Sequence, residues 1–151
     1  MIGVISDTHG LVRPQVFDAF QGVNLILHAG DIGHADVLTQ LETIAPVIAV
    51  RGNNDRSDWA AGLPTTQVVE RSNHFFYILH EVDELDLDPA AADFSAVIFG
   101  HSHRPSVEFK NGVLFLNPGS AGPRRFSLPI AVARVDVTPA GLHPEIISLT
   151  G

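Results

Sequence analysis

The chain contains no cysteine. Disulfides, thiol nucleophiles and thiolate metal knots are therefore excluded. Positive charge is also scarce: nine Lys and Arg stand against 17 Asp and Glu, for a formal net charge of −8. Proteins that grip duplex nucleic acid by neutralising its phosphates need the opposite balance, so duplex nucleic acid is not an expected partner. Bound cations would still open a local positive hole in an acidic surface, which keeps small anionic substrates in play. Long apolar runs are missing too. None approaches the roughly 20 residues of a membrane-spanning helix, and the first residues lead straight to Asp7 with no basic segment before it. No membrane association and a cytoplasmic location are the expectations. Oligomeric state leaves no mark in the sequence.

What is present is a chain of 151 residues, 45% of them hydrophobic. That suffices for one domain over 1–151 burying about two-thirds of its unfolded surface. Apolar runs at Met1–Ser6, Val23–Ala29 and Pro46–Val50 read as buried strands. Between them, Arg13–Phe20 carries Val16, Phe17 and Phe20 on one helical face after Pro14. Ala35–Ile44 does the same with Val37, Leu38, Leu41 and Ile44. Strand–helix–strand alternation implies right-handed crossovers and a parallel sheet. The second half changes character. Thr66–Glu70 and His74–Leu79 flank a turn, and Val107–Phe109 and Val113–Leu116 flank Asn111-Gly112, a strong hairpin signal. Ser95–Phe99 reads as a further buried strand, Ile130–Val137 and Leu142–Leu149 as a last pair, and acidic, Ala-rich Val82–Ala92 as a short helix. The expected class is α/β, with two packed mixed sheets flanked by helices.

Five short clusters of metal-ligand residue types punctuate this pattern. Asp7 and His9 follow the first strand, Asp31 the second and Asn53 the third; His80 ends the run 75–80, and His101 and His103 follow Ser95–Phe99. Open α/β sheets bind their ligands at the carboxyl ends of strands. Carboxylate, amide and imidazole together suit Mn, Fe or Zn better than Ca, which prefers oxygen alone. One His or Asp at a strand end is more often a cap or a satisfied polar group. Five such clusters, mostly at strand ends, reverse that balance. Asp31 has two oxygens with which to bridge cations about 3.5–4 Å apart. His9 and His103 would serve one ion with Asp7, and Asn53 would join His80 and His101 on the other.

Asp7-Thr-His9, Gly30-Asp31, Gly52-Asn53-Asn-Asp55, His80, Gly100-His-Ser-His103 and Asn117-Pro-Gly-Ser120 together resemble the calcineurin-like metallophosphoesterase superfamily, and within it the small phosphodiesterase branch of bacteria and archaea. The resemblance runs through almost the whole chain. It implies an αββα sandwich and two divalent ions per chain, Mn2+ first and Fe, Zn, Co or Ni as alternatives. Asp7, His9, Asp31 and His103 would hold one ion; Asp31, Asn53, His80 and His101 the other. A small phosphate ester, most of all a phosphodiester, would be hydrolysed by a hydroxide between the ions. Asp31, Asn53 and His80 would be catalytic through metal and phosphate. Within the enzyme class, a phosphomonoesterase or cyclic-nucleotide phosphodiesterase is the alternative. Outside it, the alternative is a silent interaction scaffold on the same fold, as in the retromer, which seven intact ligand side chains disfavour.

Two positions depart from the branch. Glu81 and Val82 stand where Gly and a further His are usual, so a carboxylate lies where it would repel phosphate or bind metal. Asn54 stands where many superfamily members place a proton-donating His. Asp55 reads as a residue that orients a ligand from behind, and His28 either as another such residue or as a satisfied core histidine. Arg124 and Arg125 read as a solvated pair within possible reach of a phosphate. Trp59 reads as a base cover or as packing against Leu63, and His34, His74 and His143 as surface residues.

Overall fold

The computed structural model describes residues 1–125 and 127–149. Its strands are β1 (Ile2–Ile5), β2 (Leu25–His28), β3 (Val47–Ala49), β4 (Thr66–Arg71), β5 (His74–Leu79), β6 (Ala96–Ile98), β7 (Ser106–Lys110), β8 (Val113–Asn117), β9 (Ala131–Thr138) and β10 (Gly141–Ser148). The helices are α1 (Pro14–Ala19) and α2 (Ala35–Glu42). They form two five-stranded mixed sheets, in the orders β10-β9-β1-β2-β3 and β4-β5-β6-β8-β7. In the first sheet β1, β2 and β3 are parallel and β9 and β10 add antiparallel on the β1 side, as in Ile2↔Leu25 against Ile2↔Val135. In the second, β5, β6 and β8 are parallel at the centre, with antiparallel β4 and β7 at the margins. The expected two-sheet architecture forms.

Alternation along the strands explains the layering. In β2, Leu25 and Leu27 face the opposite sheet, whereas Ile26 faces the helices. Between the sheets Ile2, Val4, Leu25 and Leu27 meet Phe76, Ile78, Ile98 and Leu116. On the other side of the first sheet, Val16 of α1, Phe20 just after it, and Val37 and Leu41 of α2 cover Ile5 and Ile26. Trp59 and Leu63 pack onto the margin of that same cluster, so packing accounts for Trp59. The Asn111-Gly112 turn has φ of 53° and 80°, the left-handed pair that a two-residue hairpin requires.

The helix expected over Val82–Ala92 does not form. Only a single 3-10 turn, Val82–Glu84, is present, and Leu85 leaves it in an extended conformation (φ −64°, ψ 118°). Pro89 disfavours helical geometry at Asp88. The Asp88 carboxylate accepts from the backbone N–H groups of Ala90 (3.1 Å) and Ala91 (3.3 Å), a local arrangement that competes with a helix. Val82, Leu85 and Ala90 still cover Leu79, Val97 and Val113, so the outer face of the second sheet is closed by turns.

His74 is likewise not a surface residue. Its half-buried ring lies 2.8 Å from Ser95 Oγ through Nδ1 and 2.8 Å from the Thr138 carbonyl through Nε2. A carbonyl only accepts, so Nε2 donates to Thr138. The ring thereby ties β5 to the end of β9, one sheet to the other. His34 is exposed and caps α2, its Nδ1 accepting from Asp36 N at 3.1 Å, and His143 is exposed on β10.

Candidate metal centre

The loops after β1, β2, β3, β5 and β6 converge at one end of the sandwich. Backbone bonds lock the first two in register: Asp7 N to Gly30 O (3.0 Å), His9 N to Asp31 O (3.0 Å) and Gly10 N to Ile32 O (2.7 Å). Asp7, His9, Asp31, His101 and His103 all have left-handed φ, between 46° and 73°. Non-glycine residues there cost of order 1–3 kcal/mol each and gather at functional sites. Close packing of backbone makes the approach possible. A Cβ on Gly100 would collide with Ser6 Oγ and the Asp7 carboxylate, and one on Gly52 with Asp31.

The two carboxylates sit at the middle. Asp7 Oδ1 lies 3.9 Å from His9 Nε2, 3.8 Å from His80 Nε2 and 3.4 Å from His103 Nε2. Asp31 Oδ2 lies 3.3 Å from His80 Nε2 and 3.9 Å from His9 Nε2. Two groups of side chains therefore have cation-holding spacing, Asp7 with His9 and His103, and Asp7 with Asp31 and His80. His80 Nδ1 is 2.7 Å from the Ala29 carbonyl, so that nitrogen donates and the bond turns Nε2 toward the site. His101 is less gathered in. Its side chain is 47% exposed and its Nδ1 faces Glu81 Oε1 at 3.5 Å, with its ring perpendicular to that of His80.

Several polar atoms here lack a protein partner, and the Asn53 amide lies against the Asp31 carboxylate and His80 Nε2. Asp7 Oδ1, His9 Nε2 and His103 Nδ1 are buried without a hydrogen-bond partner. Buried polar atoms in this condition cost free energy unless something else satisfies them. A cation does so for converging oxygens and imidazole nitrogens, so the donor set fits divalent metal.

Ionisation follows from the same crowding. Burial opposes charge on Asp7 and Asp31, but His103, His80 and Ser6 around Asp7 outweigh it and hold that carboxyl below its ordinary value. His80 and the Asn54 backbone N–H do the same for Asp31, which falls to about 2. Burial lowers the pKa of His80, yet the bond to Asp31 and the charge of Asp7 raise it overall.

The residues read as orienting groups act on backbone. Asp55 accepts from Ile32 N (3.1 Å), Gly33 N (3.0 Å) and Gly52 N (3.0 Å), stapling the loop of Asp31 to that of Asn53. Asp55→Ala would orphan three N–H groups, two of them in buried bonds, and should cost about 3 kcal/mol by urea unfolding of the metal-free protein. A change under about 1 kcal/mol would mean that water replaces the carboxylate easily.

His28 is fully buried, accepting from Gly30 N at its Nδ1 (3.1 Å) with its Nε2 3.0 Å from Thr8 Oγ1. Thr8 gives its own proton to Ile32 O (2.8 Å), so His28 Nε2 donates to Thr8. Burial lowers the His28 pKa to about 4, with the charges of Asp7 and Asp55 only partly offsetting it. The unfolded chain takes up this proton near pH ~6.5 and the folded chain only near 4. Stability is unaffected above that window and falls as pH drops through it. For metal-free protein, the advantage over His28→Gln should shrink by roughly 2 kcal/mol from pH 7.5 to pH 5. A constant difference would refute the neutral ring.

Sequence reasoning missed several contributors. Ser6 Oγ donates to Asp7 Oδ2 (2.7 Å), which also accepts from His101 N (3.1 Å). Asn54 Nδ2 donates to Asp31 Oδ2 at 3.1 Å. Asn117 Nδ2 donates to Gly100 O and Ser102 Oγ, both at 3.1 Å, and Ser120 Oγ to Asp7 O at 3.1 Å. The signal for Asn117 and Ser120 was the Asn117-Pro-Gly-Ser120 motif, which clamps the loops that follow β1 and β6. Arg124 and Arg125 are exposed.

Residues 1–139 match the family model for the calcineurin-like phosphoesterase superfamily domain. A probable metallophosphoesterase of Methanothermobacter thermautotrophicus is 39% identical over 149 residues, covering 90% of this chain and 86% of its own length. A phosphodiesterase of Methanocaldococcus jannaschii is 29% identical over 137 residues, covering 78% of this chain and 82% of its own. The solved structure of an archaeal phosphodiesterase matches with a TM-score of 0.80 at 24% identity, covering 97% of this chain and 99% of that one. At that identity the likeness speaks for the fold. The family match spans all five donor clusters that the two sheets bring together, and the chain belongs to the calcineurin-like phosphoesterase superfamily.

Proposed function

We propose that this chain hydrolyses phosphodiesters with two divalent cations. Asp7, His9, Asp31 and His103 would hold one, and Asp31, Asn53, His80 and His101 the other. The observation that carries the reading is the convergence of two donor groups on Asp7, one with His9 and His103 and one with Asp31 and His80, around buried atoms that have no protein hydrogen-bond partner. Mn2+ suits this carboxylate–amide–imidazole set best, and Fe, Zn, Co and Ni are compatible.

Divalent cations in this position supply Lewis acidity, making hydroxide available near neutral pH and offsetting phosphate charge. The chain's part is preorganisation. The lowered pKa of Asp7 and of Asp31 keeps both carboxylates ionised across the physiological range. The Ala29 carbonyl fixes the His80 ring, and the clamps from Asp55, Asn117 and Ser120 hold strained loops at one spacing. Phosphodiesters are favoured over monoester dianions by the Glu81 carboxylate beside His101, since a diester carries one negative charge fewer.

The test is metal content and turnover on one sample, against a panel of monoesters, cyclic nucleotides and open diesters. Two divalent ions per chain and faster diester than monoester turnover are expected. A protein that binds no divalent metal, or cleaves no phosphate ester, would sink the proposal.

A further inference from the structure

A cavity of about 370 Å³ opens beside the centre on the side of Asn53 and His80. The family motifs account for its inner wall only. Its outer wall includes Arg51, Arg56, Thr66, Leu79, Glu81 and Glu84. We propose that this cavity receives one alcohol arm of the phosphodiester, and that the arm is a neutral, hydroxyl-bearing group the size of glycerol or a single sugar. The inference rests on the hydrolytic reading above and adds the substrate class to it.

Position comes first. Asn53 and His80 belong both to the donor cluster and to the cavity lining, so a phosphate at the centre would have one of its substituents at the cavity mouth. Glu81 stands at the same boundary, its Oε1 3.5 Å from His101 Nδ1.

The chemistry of the wall then selects among arms. Glu81 and Glu84 are carboxylates that accept from hydroxyl groups. Arg51 and Arg56 are donors only, and the Thr66 hydroxyl can do either. Arg56 spends its Nε on the Asn53 carbonyl (3.1 Å), which leaves its terminal N–H groups. Asp55 also touches the cavity, but its carboxylate is committed to three backbone N–H groups. No aromatic side chain contributes to the lining, so an aryl ring finds no stacking partner there. Two guanidiniums stand against the Glu81 and Glu84 carboxylates, which favours neither a second phosphate nor a cationic arm. The volume lies near the lower end of the roughly 300–1,000 Å³ typical of small-molecule sites, enough for one small polyol and too little for a polymer.

The experiment compares two monoesters as competitive inhibitors of bis(p-nitrophenyl) phosphate hydrolysis by the Mn2+-loaded protein: glycerol 1-phosphate and n-propyl phosphate. They share the phosphate and the three-carbon arm and differ in two hydroxyls. Titration calorimetry with the same ligands gives affinities that do not depend on turnover. Two good hydrogen bonds should make glycerol 1-phosphate bind about tenfold more tightly. Glu84→Gln and Thr66→Val, both at exposed positions where folding is not at stake, should bring the ratio of the two affinities toward one. Equal affinities in the unmodified protein, tighter propyl binding, or variants that leave the ratio where it was would overturn the subsite. Failure to hydrolyse any diester would instead count against the hydrolytic function itself.

Discussion

Replacing Asp31 with alanine should strip the protein of both proposed cations and lower diester turnover by more than the about 10–100-fold typical of losing an outer-shell partner. The geometry makes this a real contest between two carboxylates. Asp7 Oδ1 is common to both three-residue groups, which makes Asp7 the rival bridge. Yet Asp7 has committed its other oxygen to Ser6 Oγ and His101 N, leaving one oxygen for metal. Asp31 accepts from Asn54 N at Oδ1 (2.9 Å) and from Asn54 Nδ2 at Oδ2 (3.1 Å), and once His80 turns its Nε2 to a cation each oxygen keeps a lone pair free. Two available oxygens suit a bridge better than one. Metal analysis of Asp31→Ala, Asp7→Ala and His80→Ala should therefore show about no, one and one retained ion per chain respectively, on the two-metal scheme. If Asp7→Ala empties the site while Asp31→Ala keeps an ion, the bridge is Asp7. Full occupancy in Asp31→Ala would end the bridging role.

Turnover should also depend steeply on the leaving group, with aryl diesters cleaved far faster than alkyl ones. An amide at Asn54 is not a general acid, and the structure gives its side chain another task, donating to Asp31 Oδ2. The nearby substitutes are occupied. His28 is neutral with both ring nitrogens bonded, and Asp55 accepts three N–H groups with its carboxylate. General acid catalysis is worth about 10²–10⁴-fold, and its absence falls on poor leaving groups. Among diesters of graded leaving-group pKa at saturating metal, the spread from best to worst should exceed that factor. Asn54→His should flatten the series, whereas Asn54→Ala, which keeps the backbone bond to Asp31, should leave it steep. A flat series in the unmodified protein would mean that some other proton donor is at work.

The sequence by itself determined the local grammar. Apolar runs marked the strands, Asn111-Gly112 marked a hairpin, and the order of the five donor clusters marked the family. Each of these signals is carried by neighbouring residues whose own conformational preferences decide the outcome. The same reasoning overreached where a local preference met a tertiary constraint, as in Val82–Ala92, whose Ala-rich stretch Pro89 and Asp88 break into turns that cover the second sheet. Only the tertiary structure decided that His74 ties the sheets together, that His101 faces Glu81, that Asn54 supports Asp31, and that Ser120 grips the Asp7 carbonyl across 113 residues of chain. A side chain's type fixes which bonds it can make, and the burial and partners supplied by distant chain segments fix which of them it does make.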